Sequence, residues 1–132
     1  MSWDIFVQDI PESAATVEDI PRSFVPAPIG QRSHIIEEIL KTVPFADFTD
    51  PAWGIIEGDD FSIEVSLGPD ETVKDFALHV RGDDIAAAVV SDILKHLKLR
   101  AFDSGTGDIF DHERASVGLT KWRSYMERVL SR

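Results

Sequence analysis

Apolar and polar residues alternate from the start of the chain. In "SWDIFVQDI", Trp3, Ile5 and Val7 fall in one phase and Asp4, Phe6 and Gln8 in the other, a period of two that predicts a half-buried strand. The period returns in "FSIEVSLG", where Phe61, Ile63, Val65 and Leu67 oppose Ser62, Glu64 and Ser66. It returns again in "FALHVRGDD", where Phe76, Leu78 and Val80 oppose His79 and Arg81. "WGIIEG", joined to the second of these segments by a turn around Gly58 and Asp59, completes a predicted hairpin. The matching apolar phases of 61–67 and 76–80 predict antiparallel neighbours with one face on the core.

Between these segments the period changes to that of a helix. Ile35, Ile36, Ile39, Leu40 and Val43 make an apolar stripe that Pro44 ends. Ile85, Ala86, Val89, Val90, Ile93, Leu94 and Leu97 make the widest stripe, with Asp83 or Asp84 as its N-cap and an end near Lys98. Leu119, Trp122, Met126, Val129 and Leu130 predict a closing amphipathic helix. "LRAFD" and "DIFD" around the glycine-rich "SGTG" read as a second hairpin. The order of elements predicts an α+β fold, with a mostly antiparallel sheet and about three helices packed on one face. Residues 1–132 are expected to form one domain.

From Pro11 to Gly30 four prolines interrupt regular structure, while Ile20, Phe24, Val25 and Ile29 suggest a segment laid across the core. A loop of this length is either a lid or binding loop or an ordered crossover.

Composition narrows the chemistry. The chain has no cysteine, which removes disulfides, thiolate metal sites and a cysteine nucleophile. The first residues lack a basic region followed by an apolar one, and no apolar run approaches the roughly 20 residues needed to span a bilayer, so a cytoplasmic protein is expected. The net charge of −11 opposes binding to nucleic acid or to an anionic membrane. Residues 1–60 carry 12 acidic and 3 basic side chains, and residues 61–132 carry 12 and 10. From His112 onward the sign reverses, with Arg114, Lys121, Arg123, Arg128 and Arg132 against Glu113 and Glu127.

Candidate constellations are few. His34 with Glu37 and Glu38 has a spacing at which two side chains can meet one metal, but the zinc-protease helices need a second histidine where Glu38 stands. Glu64, His79 and Arg81 combine an acid, a titratable base and an anion-binding fork on one predicted sheet face, suited either to acid/base chemistry or to cross-strand charge pairing. Asp47, Asp50, Glu57, Asp59 and Asp60 form the densest acidic region, without the loop order of an EF-hand. Neither a P-loop nor a serine-hydrolase elbow is present. Trp3, Trp53 and Trp122, with Phe24, Phe45 and Phe48, read as core or loop anchors, and two of them exposed beside the acidic loops would be the interface anchors.

The segment "LKLRAFDSGTGDIFD", residues 97–111, resembles a short hairpin of small bacterial proteins of uncharacterised or immunity type. In these a hydrophobic strand leads into Asp, a turn and a Gly-led second strand. Many of them carry Asp-Pro-Gln in the turn, where this chain has Asp103, Ser104 and Gly105. The resemblance implies a toxin-neutralising or otherwise non-catalytic binding role and carries over no functional residue.

The leading expectation is a non-enzymatic binding protein of immunity or inhibitor type, without cofactor or metal, that engages a basic protein partner. Its partner-binding residues would be Glu37, Glu38, Asp47, Asp50, Glu57, Asp59 and Asp60. Two alternatives stay open. One is a small enzyme or ligand-binding protein with a site at Glu64, His79 and Arg81 under the 11–30 loop. The other is a structural subunit whose basic C-terminal helix docks on an acidic patch of the next copy.

Overall fold

The first alternating segment is a strand, β1 (Trp3–Gln8), and it lies inside the sheet rather than at its margin. The computed structural model describes residues 3–131, so Ser2 of the predicted strand and Arg132 of the basic C-terminal stretch lie outside the described residues. β2 (Gly30–Gln31) and β5 (Thr72–Val73) pair as a separate ribbon, too short to leave a periodic signal. The main sheet comprises β1, β3 (Trp53–Glu57), β4 (Ser62–Ser66), β6 (Asp75–Arg81) and β7 (Arg100–Asp103). Its order is β3-β4-β6-β1-β7, with every neighbour antiparallel. The fold is α+β, as the periodicities predict.

Helices α1 (Arg32–Thr42), α2 (Asp84–Leu97), α3 (His112–Ala115) and α4 (Leu119–Leu130) cover one face. Beneath them Ile5, Val7, Ile63, Val65, Phe76 and Leu78 of the sheet join Ile35, Ile39, Val89, Val90 and Ile93 of the helices in one buried cluster. Each such side chain contributes roughly 1.5–3 kcal/mol by leaving water. Trp122, 2% exposed, lies at the centre of an aromatic group, edge-on to Phe45 at 6.2 Å and to Phe61 at 6.1 Å between ring centroids. Its indole N–H donates to Asp92 of α2 at 3.0 Å, so the last helix is locked to the sheet and to the central helix together. Asp83 does precede α2, but its side chain makes no capping hydrogen bond, and the helix ends at Lys98 in the left-handed conformation, φ 57°.

The second hairpin is thinner than its sequence suggests. β7 is a full strand, but the return is reduced to one bridge between Phe102 and Ile109. The proline-rich 11–30 segment continues outward from it, since Thr16 bridges Asp108 and the Val17 N–H donates to the Gly107 carbonyl at 2.8 Å. The Arg100 guanidinium donates to the carbonyls of Pro11 and Ala14, and the Ala27 N–H donates to Asp9. These bonds tie the segment to the β7 side and to the end of β1, away from Glu64, His79 and Arg81. They describe an ordered crossover, and the expectation of a lid over those three residues is not met.

Before α4 the chain makes a 3-10 turn, Ser116–Gly118, that passes against the start of α2. A Cβ on Gly118 would sit 1.9 Å from the Asp84 carbonyl oxygen. Because the obstacle is backbone, relief requires moving one element off the other. Gly118→Ala is predicted to destabilise the protein by about 2 kcal/mol through overpacking, read as a lower urea midpoint of the circular dichroism transition. An unchanged midpoint would show that this close approach is not a constraint.

Candidate functional site

The helices leave the other face of the sheet open, and the register decides what it displays. One row across it is Ile55, Glu64, His79 and Asp4, and the next is Trp53, Ser66, Ala77, Phe6 and Phe102. The predicted pairing of Glu64 with His79 is therefore present, each half-buried. Arg81 lies opposite Ser62 at the end of the strand, exposed, and forms no ion pair with Glu64. The partner of His79 is instead Asp4, whose carboxylate accepts from the imidazole Nδ1 at 2.8 Å.

Three exposed apolar side chains share this face: Phe6 at 36%, Trp53 at 39% and Ile55 at 42% exposure. Phe6 packs on Phe102 with ring centroids 5.6 Å apart. The Trp53 indole stacks on the His79 ring at 5.7 Å and 22°. Since β4 separates their strands, the two rings meet above it, next to Ser66 and Glu64. Phe6 had a readable signal, an aromatic out of phase with its strand. Asp4 had none, because nothing local to β1 says that β6 is its neighbour.

The acidic residues divide into two groups. Asp47 bridges Ile55 at the outer edge of β3, Asp50 lies in the turn before that strand, Glu57 ends it, and Asp59 and Asp60 form the turn into β4. These five surround β3, the edge strand of the sheet, at its two ends and along its outer side. Asp47 also accepts from the Thr49 hydroxyl at 2.6 Å and its N–H at 2.9 Å, and these bonds hold its carboxyl below the ordinary value. Asp50 accepts from the Ala52 N–H at 3.0 Å.

Glu37 and Glu38 do not join them, because they are carried on α1 in the helical layer. Glu38 accepts from His96 of α2 at 2.6 Å and from Lys41 at 3.1 Å, with His34 at 3.9 Å. The His96 hydrogen bond, followed by that of Lys41, lowers its pKa. Glu38 thus fastens α1 to α2. Among the described residues no group of three or more His, Cys, Asp or Glu is placed to hold a metal ion.

Among the clefts on the helical side, two carry side chains of chemical interest that were not legible in the sequence. The larger, about 640 Å³, opens between the start of α2, the turn after β7 and the start of α3, with Trp3 and Phe110 among its walls. Two of its four carboxylates have structural partners: Asp103 accepts from the Trp3 indole at 2.5 Å and from the Gly105 N–H at 2.7 Å, and Asp111 caps α3. The smaller, about 30 Å³, lies beside Ser91 and His112, whose Oγ and Nδ1 are 2.7 Å apart. A serine and a histidine in contact are the parts of an acyl-transfer site. Ser91 is only 6% exposed, however, and the space beside it is of the order that holds one water. The pair joins α2 to α3. Burial, followed by repulsion from Lys95 and opposed by Asp111, lowers the His112 pKa.

No helix among the described residues is long and apolar enough to cross a membrane. No family model matches the chain, and no curated protein or solved structure matches it either.

The lowered His112 value sets a pH window. The unfolded chain takes up this proton near 6.5, whereas the folded protein resists it to lower pH. The contribution is fully present above that value and is lost as pH falls through the folded pKa. Glu38 adds a separate loss as pH drops below 4.5 through its own lowered value. Urea midpoints measured against pH are predicted to fall in the first window, and His112→Gln is predicted to flatten that part of the curve. A variant curve parallel to wild type there would exclude His112 as the source. Ser91→Ala, which strips the Nδ1 of its partner, is predicted to cost about 1 kcal/mol.

Proposed function

We propose that the protein is a non-enzymatic binding domain of immunity or inhibitor type, working in the cytoplasm, that docks a basic protein partner on the open sheet face and its β3 margin. The observation that carries this reading is the coincidence, on one face, of three exposed apolar side chains with a border of carboxylates. Protein interfaces take most of their affinity from a few aromatic anchors, and complementary charge speeds the encounter and rejects wrong partners. Phe6 and Trp53 supply the anchors, and Glu57, Asp59, Asp60 and Glu64 supply the charge. The absence of cysteine from the sequence is compatible with a reducing compartment.

Compared with the expectation from sequence, the proposed surface loses Glu37 and Glu38, both carried on α1, where Glu38 bonds His96 of α2, and gains Glu64, Trp53 and Phe6. Asp47 and Asp50 stay at its border but hold their own turn, so substituting them would confuse binding with folding.

The test therefore uses Glu57→Gln, Asp59→Asn and Asp60→Asn together, whose side chains make no hydrogen bond or ion pair among the described residues. With the wild-type protein and this variant as baits, a basic protein is predicted to be retained by wild type at low salt. It is predicted to be released at high salt and to be weakly held by the variant. Equal retention by both baits at both salt levels would sink the proposal. Light scattering of the protein alone reads the rival outcome: salt-sensitive self-assembly would mean that the exposed Lys121, Arg123 and Arg128 of α4 occupy the acidic margin of another copy.

A further inference from the structure

We propose that the Trp53–His79 stack and the Glu64 carboxylate form a receptor for arginine side chains of the basic partner. This rests on the docking role proposed above and names the group that the face selects. The indole is exposed yet held in place, because His79 stacks against it and is itself held by Asp4. These contacts span four adjacent strands, so the platform is ordered before anything binds, which lowers the entropy lost on docking.

Glu64 supplies the second half of the receptor. It lies opposite His79, beside the point where the two rings meet, and it is half-buried. Its carboxylate makes no hydrogen bond or ion pair among the described residues. His79 directs Nδ1 to Asp4, and Arg81 stays at the end of the strand. An apolar group docked on Trp53 would strip water from this carboxylate and return nothing. A guanidinium can stack flat on the indole and donate through its edge to the carboxylate at the same time. A lysine ammonium is a compact, strongly hydrated charge with no plane to stack, and it satisfies only the second requirement.

The test compares octa-arginine amide with octa-lysine amide, equal in length and charge, each titrated at low salt into the full chain. Binding is read calorimetrically and by Trp fluorescence, with Trp53→Phe assigning the optical change. Octa-arginine is predicted to bind roughly tenfold more tightly. Trp53→Ala and Glu64→Gln are each predicted to abolish most of that preference; Trp53→Ala leaves octa-lysine, held by Glu57, Asp59 and Asp60, nearly unaffected, whereas Glu64→Gln weakens it by less than it weakens octa-arginine. Glu64→Gln removes no intramolecular contact among the described residues, so it remains decisive if Trp53→Ala unfolds. Equal affinity for the two peptides would overturn the arginine receptor and leave the acidic docking surface standing. Binding of neither would overturn both. A preference that survives Glu64→Gln in folded protein would place the arginine elsewhere and overturn this assignment.

Discussion

The pairing of β1 with β6 is the constraint from which the rest follows. It joins the first described residues to a strand about seventy positions later, and in that register Ile5 faces Leu78 and Val7 faces Phe76 on the buried side. Because side chains alternate strictly, the same register forces Asp4 beside His79 and Phe6 beside Ala77 on the other side. A slip of one residue would put Ile5 and Val7 into water and Asp4 and Phe6 into the core. Burial of two apolar pairs therefore fixes the contacts of the open face.

One-sided burial also explains the edges. A sheet with an open face and free margins invites pairing with other chains. Here Asp47 occupies the outer hydrogen-bonding positions of Ile55 on β3, and Ile109 followed by Thr16 extends the sheet beyond β7. These additions are single bridges, placed by loops rather than by strand-forming runs. What remains available is the surface of the sheet more than its edges, and this favours contact through side chains over addition of a strand.

The parts of the fold that were legible are those in which one period persists long enough to be read. β1, β4 and β6 declare themselves by alternation, and α1, α2 and α4 by apolar stripes. The ribbon of β2 and β5, the four-residue α3 and the thinned second hairpin are shorter than any repeat that could announce them. The site was legible to the extent that it lay within neighbouring strands: Glu64 and His79 meet because the apolar phases of β4 and β6 match. Asp4 was hidden because sheet order is a long-range property, and Phe102 because "LRAFD" fits either phase. Glu37 and Glu38 lie apart from the other five acids for a related reason. Charge counted along the sequence takes no account of the layer that carries it, and a carboxylate on α1 finds its histidine on α2 before it finds a partner protein.

Charge and exposed apolar surface are best understood together. Phe6 at one side of the open face and Trp53 and Ile55 at the other would by themselves favour association between copies, as exposed apolar surface does. Carboxylates along the β3 margin and on the face place like charge against like whenever two such surfaces meet, and the net charge of −11 opposes close approach more generally. The repulsion is selective, because a basic surface replaces it with attraction while meeting the same aromatic anchors. In the proposed docking role the acids would contribute less by stabilising any one complex than by making the wrong complexes, including the homotypic one, unfavourable. The carboxylates of Glu57, Asp59, Asp60 and Glu64 make no hydrogen bond or ion pair among the described residues and so are available to a partner, whereas those of Asp103, Asp111 and Glu38 are already engaged in holding the fold.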